Sequence, residues 1–183
     1  MNRTRVAIVA LACSAASAAS AQEFREFNTT GLPRSEGVVV RVKHPSAWKA
    51  AATDDEMALA ELRGPYGKLT GVLQIGRGVR RDDMAAVCKP ENARTMLRSL
   101  EPQDRGTRVT DVFARKHEGR PAFEVRYERN NAPTFTLVRS VIVCLKHSKL
   151  LVSCGAEGKT KAAVAEIEPV CRRVLDSLTV AED

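Results

Sequence analysis

Apolar residues in the first half of the chain recur in short β-branched or alternating runs, a pattern typical of strands. Residues 38–43 form the first run, which ends at His44-Pro45. The tetrapeptide 45–48 then predicts a turn that ends at the single tryptophan, Trp48. Residues 57–62 and 69–75 flank Gly64-Pro65-Tyr66-Gly67, and this arrangement predicts a hairpin.

The second half of the chain predicts four more strands. They cover residues 107–114, 122–127, 134–145 and 150–154. In the first of them Val109 and Phe113 alternate with polar residues, so we expect both side chains to point inward. Residues 141–145 are apolar at consecutive positions, and such a strand is expected to be buried on both faces.

Residues 122–127 alternate more cleanly than any other segment. We expect three side chains to point into the core and three to point outward. The inward set is Phe123, Val125 and Tyr127, and the outward set is Glu124, Arg126 and Glu128.

Two segments have helical periodicity. Residues 90–100 begin with Pro90, which suits a first helical position. Residues 160–178 place Val164, Ile167, Cys171, Val174 and Leu178 on one stripe, and Pro169 should kink or delay that helix. Runs of antiparallel strands with helices at two points predict an α+β fold, with a largely antiparallel sheet sandwiched between helices (an α/β/α sandwich).

The N-terminus predicts export. Arg3 and Arg5 precede a short apolar run, and Ala19-Ser20-Ala21 provides a small-residue cleavage site, so residues 1–21 are interpreted as a signal peptide. An alternative is a lipid anchor at Cys13, because Ala10-Leu11-Ala12-Cys13 loosely resembles a lipobox. No segment is apolar over the ~18–20 residues that a membrane span needs.

The mature chain is predicted to be one domain. Residues 22–36 are interpreted as an extended lead-in, and residues 37–180 as a single α+β domain. Loss of Arg3 and Arg5 lowers the formal charge from +7 to +5. The basic residues are scattered and aromatic residues are few, which argues against a nucleic-acid partner. No cofactor is expected.

Four cysteines follow the signal peptide: Cys88, Cys144, Cys154 and Cys171. In an oxidising compartment they predict two disulfides, for which three connectivities exist. A two- or four-residue loop in the last hairpin places Cys144 and Cys154 on opposite sheet faces and gives Cys154–Cys171 and Cys88–Cys144. A three- or five-residue loop would instead restore Cys144–Cys154.

No catalytic constellation stands out. Disulfide pairing would remove the thiol that a cysteine nucleophile needs. Cys144, His147 and Cys154 could supply zinc ligands, but oxidised structural cysteines are favoured. Trp48 is expected to be a core anchor, and the alternative is a ligand cleft that it shares with Tyr66 and Tyr127.

The order of elements resembles the PsbP-like and Ran-binding Mog-like superfamily, which includes DcrB-like exported bacterial proteins. In the first half of the chain the resembling features are the strand that leads into Pro45-Ser46-Ala47-Trp48 and the two strands and helix that follow it. In the second half they are a meander with Gly119 in its turn and a last helix that ends with Leu175-Asp176-Ser177-Leu178. The resemblance implies an α/β/α sandwich used for binding or assembly, generally without catalysis, and it transfers no functional residue.

We therefore expect a periplasmic or secreted, non-enzymatic binding or assembly domain whose partner is a protein or another envelope component. The alternatives are a cell-envelope hydrolase, and a carrier for a small ligand or metal ion.

Overall fold

The computed structural model describes residues 22–78, 81–93, 95 and 106–182. The predicted signal peptide and Cys13 lie outside these residues. The expected lead-in contains a strand, β1 (Phe24–Asn28), which pairs antiparallel with β2 (Val38–Pro45).

The strands form two antiparallel sheets. The small sheet has the order β1-β2-β10, in which β10 is Thr179–Glu182. The large sheet has the order β3-β4-β5-β9-β8-β7-β6. Its strands are Lys49–Ala51, Ala58–Tyr66, Leu69–Arg77, Thr107–His117, Arg120–Asn131, Thr134–Cys144 and Lys149–Gly158 for β3 to β9 in chain order.

The helical segments of the described residues are short. They are α1 (Met84–Val87), a 3-10 turn (Pro90–Asn92), α2 (Lys161–Ala165) and α3 (Glu168–Asp176). Pro90 opens the 3-10 turn, and residues 94 and 96–100 of the predicted helix lie outside the described chain. None of the described helices has the length and apolar character needed to cross a bilayer.

The predicted single helix 160–178 is two helices. The Thr160 side chain accepts a hydrogen bond from the Ala163 amide and so caps α2. Pro169 stands in the first turn of α3, where its missing N–H costs no intrahelical bond. The proline therefore starts a new helix rather than kinking a continuous one.

The class is α+β, and the two faces of the large sheet carry different helical elements. Helices α2 and α3 pack on one face, which we call the helix face, and α3 also contacts β2. On the other face α1 packs through Met84 beside Cys88. Val141 and Ile142 are both buried but belong to opposite clusters, which accounts for the continuous apolar run of β8.

Trp48 is a fully buried core residue at the end of the predicted turn. Its indole lies over Gly64 and Gly71, which face each other on β4 and β5. A Cβ at Gly71 would lie 2.1 Å from Trp48 Cζ2. Gly64 therefore belongs to strand β4, not to the predicted loop, and the turn is at Gly67, where φ is +58°.

A β-bulge in β6 reverses one expected orientation. The pairing register with β7 shifts between Val109 and Asp111, so residues after the bulge change face. Val112 consequently packs inward, whereas Phe113 is 48% exposed. The expectation that Phe113 points into the core is wrong because uninterrupted alternation does not hold across a bulge.

Two disulfides link the sheet to its flanking elements. Cys144 pairs in register with Lys149, so the hairpin loop has four residues, 145–148, and Cys144 and Cys154 lie on opposite faces. Cys88 bonds to Cys144, and Cys154 bonds to Cys171 of α3. These are the pairs that the parity argument gives.

Candidate functional site

Three charged residues alternate along the helix face of β7. Glu124, Arg126 and Glu128 share this face with buried Ala122 because they alternate along the strand. Glu124, expected to point outward into solvent, is only 7% exposed. The sequence predicts the alternation correctly, but the face that it assigns to solvent is partly covered.

The charges form one connected group, which we call the charged cluster: Arg115, Glu124, Arg126, Arg139 and Glu168. Glu124 accepts hydrogen bonds from Arg139 through Oε1 and from Arg115 Nη1 at 2.7 Å through Oε2. Arg139 Nη2 lies 3.0 Å from Glu168 Oε2. Arg126 Nε lies 2.9 Å from Glu168 Oε1, but its N–H does not point at that oxygen, so this contact is an ion pair without a hydrogen bond.

The charged cluster explains how this face tolerates buried ions. A carboxylate taken out of water is costly unless opposite charges and hydrogen bonds compensate it. Glu124 contacts two guanidinium groups. Glu168 lies in the first turn of α3, where the helix dipole stabilises a negative charge. The cluster holds β6, β7 and β8 to α3.

A cavity of about 230 Å³ lies beside the charged cluster, between α2 and the strands β6, β7 and β8. We call it the helix-side cavity. Its apolar side chains are Phe135, Leu137, Val164 and Ala165. Its volume is below the ~300–1,000 Å³ of typical ligand pockets, so it suits a compact ligand.

The ionic part of the helix-side cavity is mostly positive. The charged residues that line it are Arg108, Arg126, Arg129, Lys161 and Glu128. Four cations minus one anion leave the lining a formal charge of +3. Lys161 Nζ donates to Glu128 Oε2 at 2.7 Å, and Arg126 belongs to both the cavity and the charged cluster. Apolar walls with a cationic rim can hold an anion that carries an apolar group.

A second cavity, about 310 Å³, lies on the opposite sheet face beside Lys149. Burial lowers the pKa of Lys149, and the neighbouring Arg81 guanidinium lowers it further. The other cations of this cavity are compensated, since Arg81 pairs with Asp83 and Arg77 pairs with Glu36. The charged residues that line this cavity, Arg77, Arg81, Lys149 and Asp55, give a formal charge of +2, one less than that of the helix-side cavity.

Solved structures with the same arrangement of elements are known. Cyanobacterial PsbP (CyanoP) from Synechocystis sp. PCC 6803 aligns with a TM-score of 0.55 at 10% identity, covering 92% of this chain and 99% of that one. The chain has the PsbP-like fold. LpqN, involved in cell envelope biogenesis of Mycobacterium tuberculosis, aligns with a TM-score of 0.52 at 15% identity, covering 87% and 92%.

A further structural match is the Saccharomyces cerevisiae Ran-binding protein Mog1p, with a TM-score of 0.48 and 6% identity over 86% of this chain and 95% of that chain. No family model matches the chain, and no curated protein matches it. At these identities the likeness shows the PsbP-like fold alone.

Within this fold the three aromatic residues considered for a cleft do not meet. Trp48 is fully buried on the helix face, and the Tyr66 hydroxyl donates to the Glu166 carbonyl at 3.2 Å. Tyr127 packs with the Cys88–Cys144 cluster on the opposite face, where burial raises the pKa of its hydroxyl. The large sheet lies between Tyr127 and Trp48, because the two residues pack on its opposite faces. The alternative of a cleft shared by the three aromatic residues is therefore wrong.

The other candidate groups are dispersed. His44 is buried, with Nδ1 2.8 Å from the Pro45 carbonyl oxygen, and His147 Nδ1 lies 3.7 Å from Asp82. Cys144 and Cys154 are bonded to different partners, so the three residues weighed as zinc ligands do not assemble. Among the described residues, no group of three or more histidine, cysteine, aspartate or glutamate side chains could hold a metal ion.

Sequence reasoning did not identify the charged cluster, although a signal was available. Arg139 interrupts the apolar stretch of β8, and Glu168 precedes Pro169 at the predicted helix kink. A charge within a strand that is expected to be buried requires a partner. That requirement could have connected Arg139 to the acids of β7.

Proposed function

We propose that this protein is an exported, non-enzymatic binding domain whose ligand is a small anion with an apolar group, held in the helix-side cavity. The observation that carries the proposal is the combination of four cationic side chains with the apolar walls of Phe135, Leu137 and Val164. Preformed concave sites with apolar walls and a few placed polar groups are where small ligands bind.

The chemistry of the rim favours binding over hydrolysis. The rim carries the guanidinium groups of Arg108 and Arg126. Guanidinium groups as a class do not serve as general acids or bases. They can hold a carboxylate, sulfonate or phosphate through paired N–H donors, but they do not exchange protons during turnover. A cell-envelope hydrolase remains the competing hypothesis, and turnover of an envelope substrate by the purified protein would favour it.

Export to the periplasm or the medium is part of the proposal. The charged start, apolar run and Ala19-Ser20-Ala21 site support it, and so do two disulfides, which form in oxidising compartments. LpqN, which has the same fold, is involved in cell envelope biogenesis. The mass of the mature protein tests this step: a chain that begins at Gln22 is expected, whereas a lipid-bearing Cys13 or a retained Met1 would contradict cleavage after Ala21.

We also propose that the layers are those of an α/β/α sandwich. Helices α2 and α3 on one face of the large sheet and α1 on the other support this arrangement. The binding site would then lie between the sheet and one helical layer.

Titration with two ligands of equal length and opposite charge tests the proposed site. Octanoate is expected to bind with a dissociation constant below about 1 mM, and octylammonium is expected not to bind. Arg108→Glu should weaken octanoate binding, whereas Lys116→Glu, on the same strand outside the cavity, should not. Equal binding of both ligands, or equal loss in both variants, would contradict the proposal.

A further inference from the structure

Strand β6 is the last strand at one edge of the large sheet as far as the described residues show. It has eleven residues, and within the described chain it pairs only with β7. The outer backbone groups of an edge strand are free to pair with another strand, and proteins usually protect such edges. The bulge after Val109 protects the first part of β6, so the regular stretch from Asp111 to Lys116 is the part that can pair.

The regular stretch carries an apolar side chain that faces solvent. Phe113 is 48% exposed, and among the described residues only Met57 is another large apolar side chain with comparable exposure. Asp111, Phe113 and Arg115 lie on the helix face, since they stand opposite Arg126, Glu124 and Ala122. Val112 and Ala114 lie on the other face.

We propose that two copies of this chain associate by antiparallel pairing of β6 with β6, about a two-fold axis at Phe113. The inference goes beyond the proposed function and uses different residues. In this register Phe113 faces Phe113 of the second copy, and Asp111 faces Arg115 of the second copy on both sides of the axis. The dimer therefore gains one aromatic pair and two pairs of opposite charge.

Symmetry restricts the choice of register. Residues that stand opposite each other in two paired strands must lie on the same face of the sheet. A two-fold axis normal to the sheet meets this condition only when it passes between a residue and the same residue of the second copy. An axis at Val112 would place Asp111 against Phe113, and an axis at Ala114 would place Phe113 against Arg115. Of these three positions, only Phe113 brings opposite charges together and buries the aromatic ring against another.

The contact with Glu124 leaves Arg115 able to take part. Arg115 uses Nη1 for Glu124 Oε2, and its side chain is 29% exposed. A guanidinium group has five N–H donors, so the others can reach Asp111 of the second copy. Pairing through one short edge buries little surface, and we expect reversible dimers in the micromolar range.

Cysteine cross-linking tests the register. In the full chain with Cys13→Ser the four remaining cysteines are paired, so Phe113→Cys introduces a lone thiol that should bond to its own copy under mild oxidation. The control is Lys116→Cys, whose two copies would lie about 20 Å apart along the strands, six residues at ~3.3 Å each. Efficient cross-linking at position 113 and little at position 116 is expected.

Sedimentation of the protein without new cysteines provides the second readout. Wild-type protein should dimerise with rising concentration, and Asp111→Arg should remain monomeric while unfolding at an unchanged urea concentration. Equal cross-linking at positions 113 and 116, a wild-type monomer throughout the concentration range, or undiminished dimer in Asp111→Arg would overturn the proposal.

Discussion

Glu124 is the residue on which the charged cluster depends. Its side chain is 9% exposed and lies between Arg139 and Arg115, whose side chains are 15% and 29% exposed. Removal of one acid from such a group leaves two guanidinium ions next to each other in a partly buried place. That loss costs more than the ion pairs contribute, because the remaining charges lose their compensation.

Glu124→Gln should lower the free energy of unfolding by about 3 kcal/mol. Glu128→Gln is the matched control on the same strand, because Glu128 pairs with Lys161, whose side chain is 69% exposed. That change should cost no more than about 1 kcal/mol. Urea denaturation measures both free energies. Similar losses in the two variants would show that the ion pairs of Glu124 contribute no more to stability than an exposed ion pair does.

His44 and His117 make stability depend on pH. Burial lowers the pKa of both, and the charges of Arg25 and Lys49 lower that of His44 further. Below their ordinary pKa of about 6.5 the unfolded chain binds more protons than the folded chain, so stability falls as the pH drops from 7.5 to 5.5. The slope reaches at most about 1.4 kcal/mol per pH unit for each histidine.

Urea midpoints at pH 7.5, 6.5 and 5.5 check this dependence. The doubly substituted protein, His44→Gln with His117→Gln, should show a flatter profile than the wild type. An unchanged slope would mean that other groups, not these histidines, take up the protons on unfolding.

At the scale of elements, two disulfides connect parts that are distant in sequence. Cys154–Cys171 joins β9 to α3 across 17 residues, and Cys88–Cys144 joins the segment after α1 to β8 across 56 residues. A cross-link restricts the unfolded chain more when it closes a longer loop. The two bonds also place their helical elements on opposite faces of the large sheet.

Replacing each pair of cysteines by alanines should reveal this difference. The loop-entropy relation predicts a loss of about 3 kcal/mol without Cys154–Cys171 and about 4 kcal/mol without Cys88–Cys144. Urea denaturation of the two double variants measures the losses. If the urea midpoint stays unchanged in one of the double variants, the disulfide removed there does not stabilise the fold.

The elements also show what a single sequence can predict. The faces of β7 follow from alternation, because side chains on a strand change face at every residue. The faces of Cys144 and Cys154 depend in addition on the length of the hairpin loop, which the sequence leaves open and the register sets at four residues. The bulge in β6 has no clear signature in residues 109–111, so the orientation of Phe113 was predicted wrongly. Likewise, contacts between β7, β8 and α3 join residues far apart in sequence, and local patterns do not report which charges meet.

At the scale of the whole molecule, the PsbP-like fold positions the helix-side cavity without determining its ligand. Proteins of one fold carry unrelated functions, so the side chains at the cavity determine what it can bind. The cavity lies next to the charged cluster, between the strands β6, β7 and β8 and helix α2, which packs on β8 and β9. The cluster fixes Arg126, and α2 supplies Lys161 and the apolar wall.

Calorimetric titration of octanoate into two matched tryptophan variants tests whether the helix-side cavity is the binding site. Both alanines are exposed residues of α2, but Ala165 lines the helix-side cavity and Ala162 does not. Ala165→Trp should fill the cavity and abolish the heat of octanoate binding, while Ala162→Trp should bind as the wild type does. Unchanged binding in Ala165→Trp would show that octanoate binds elsewhere, and no binding in the wild-type protein would show that the cavity does not hold an apolar anion.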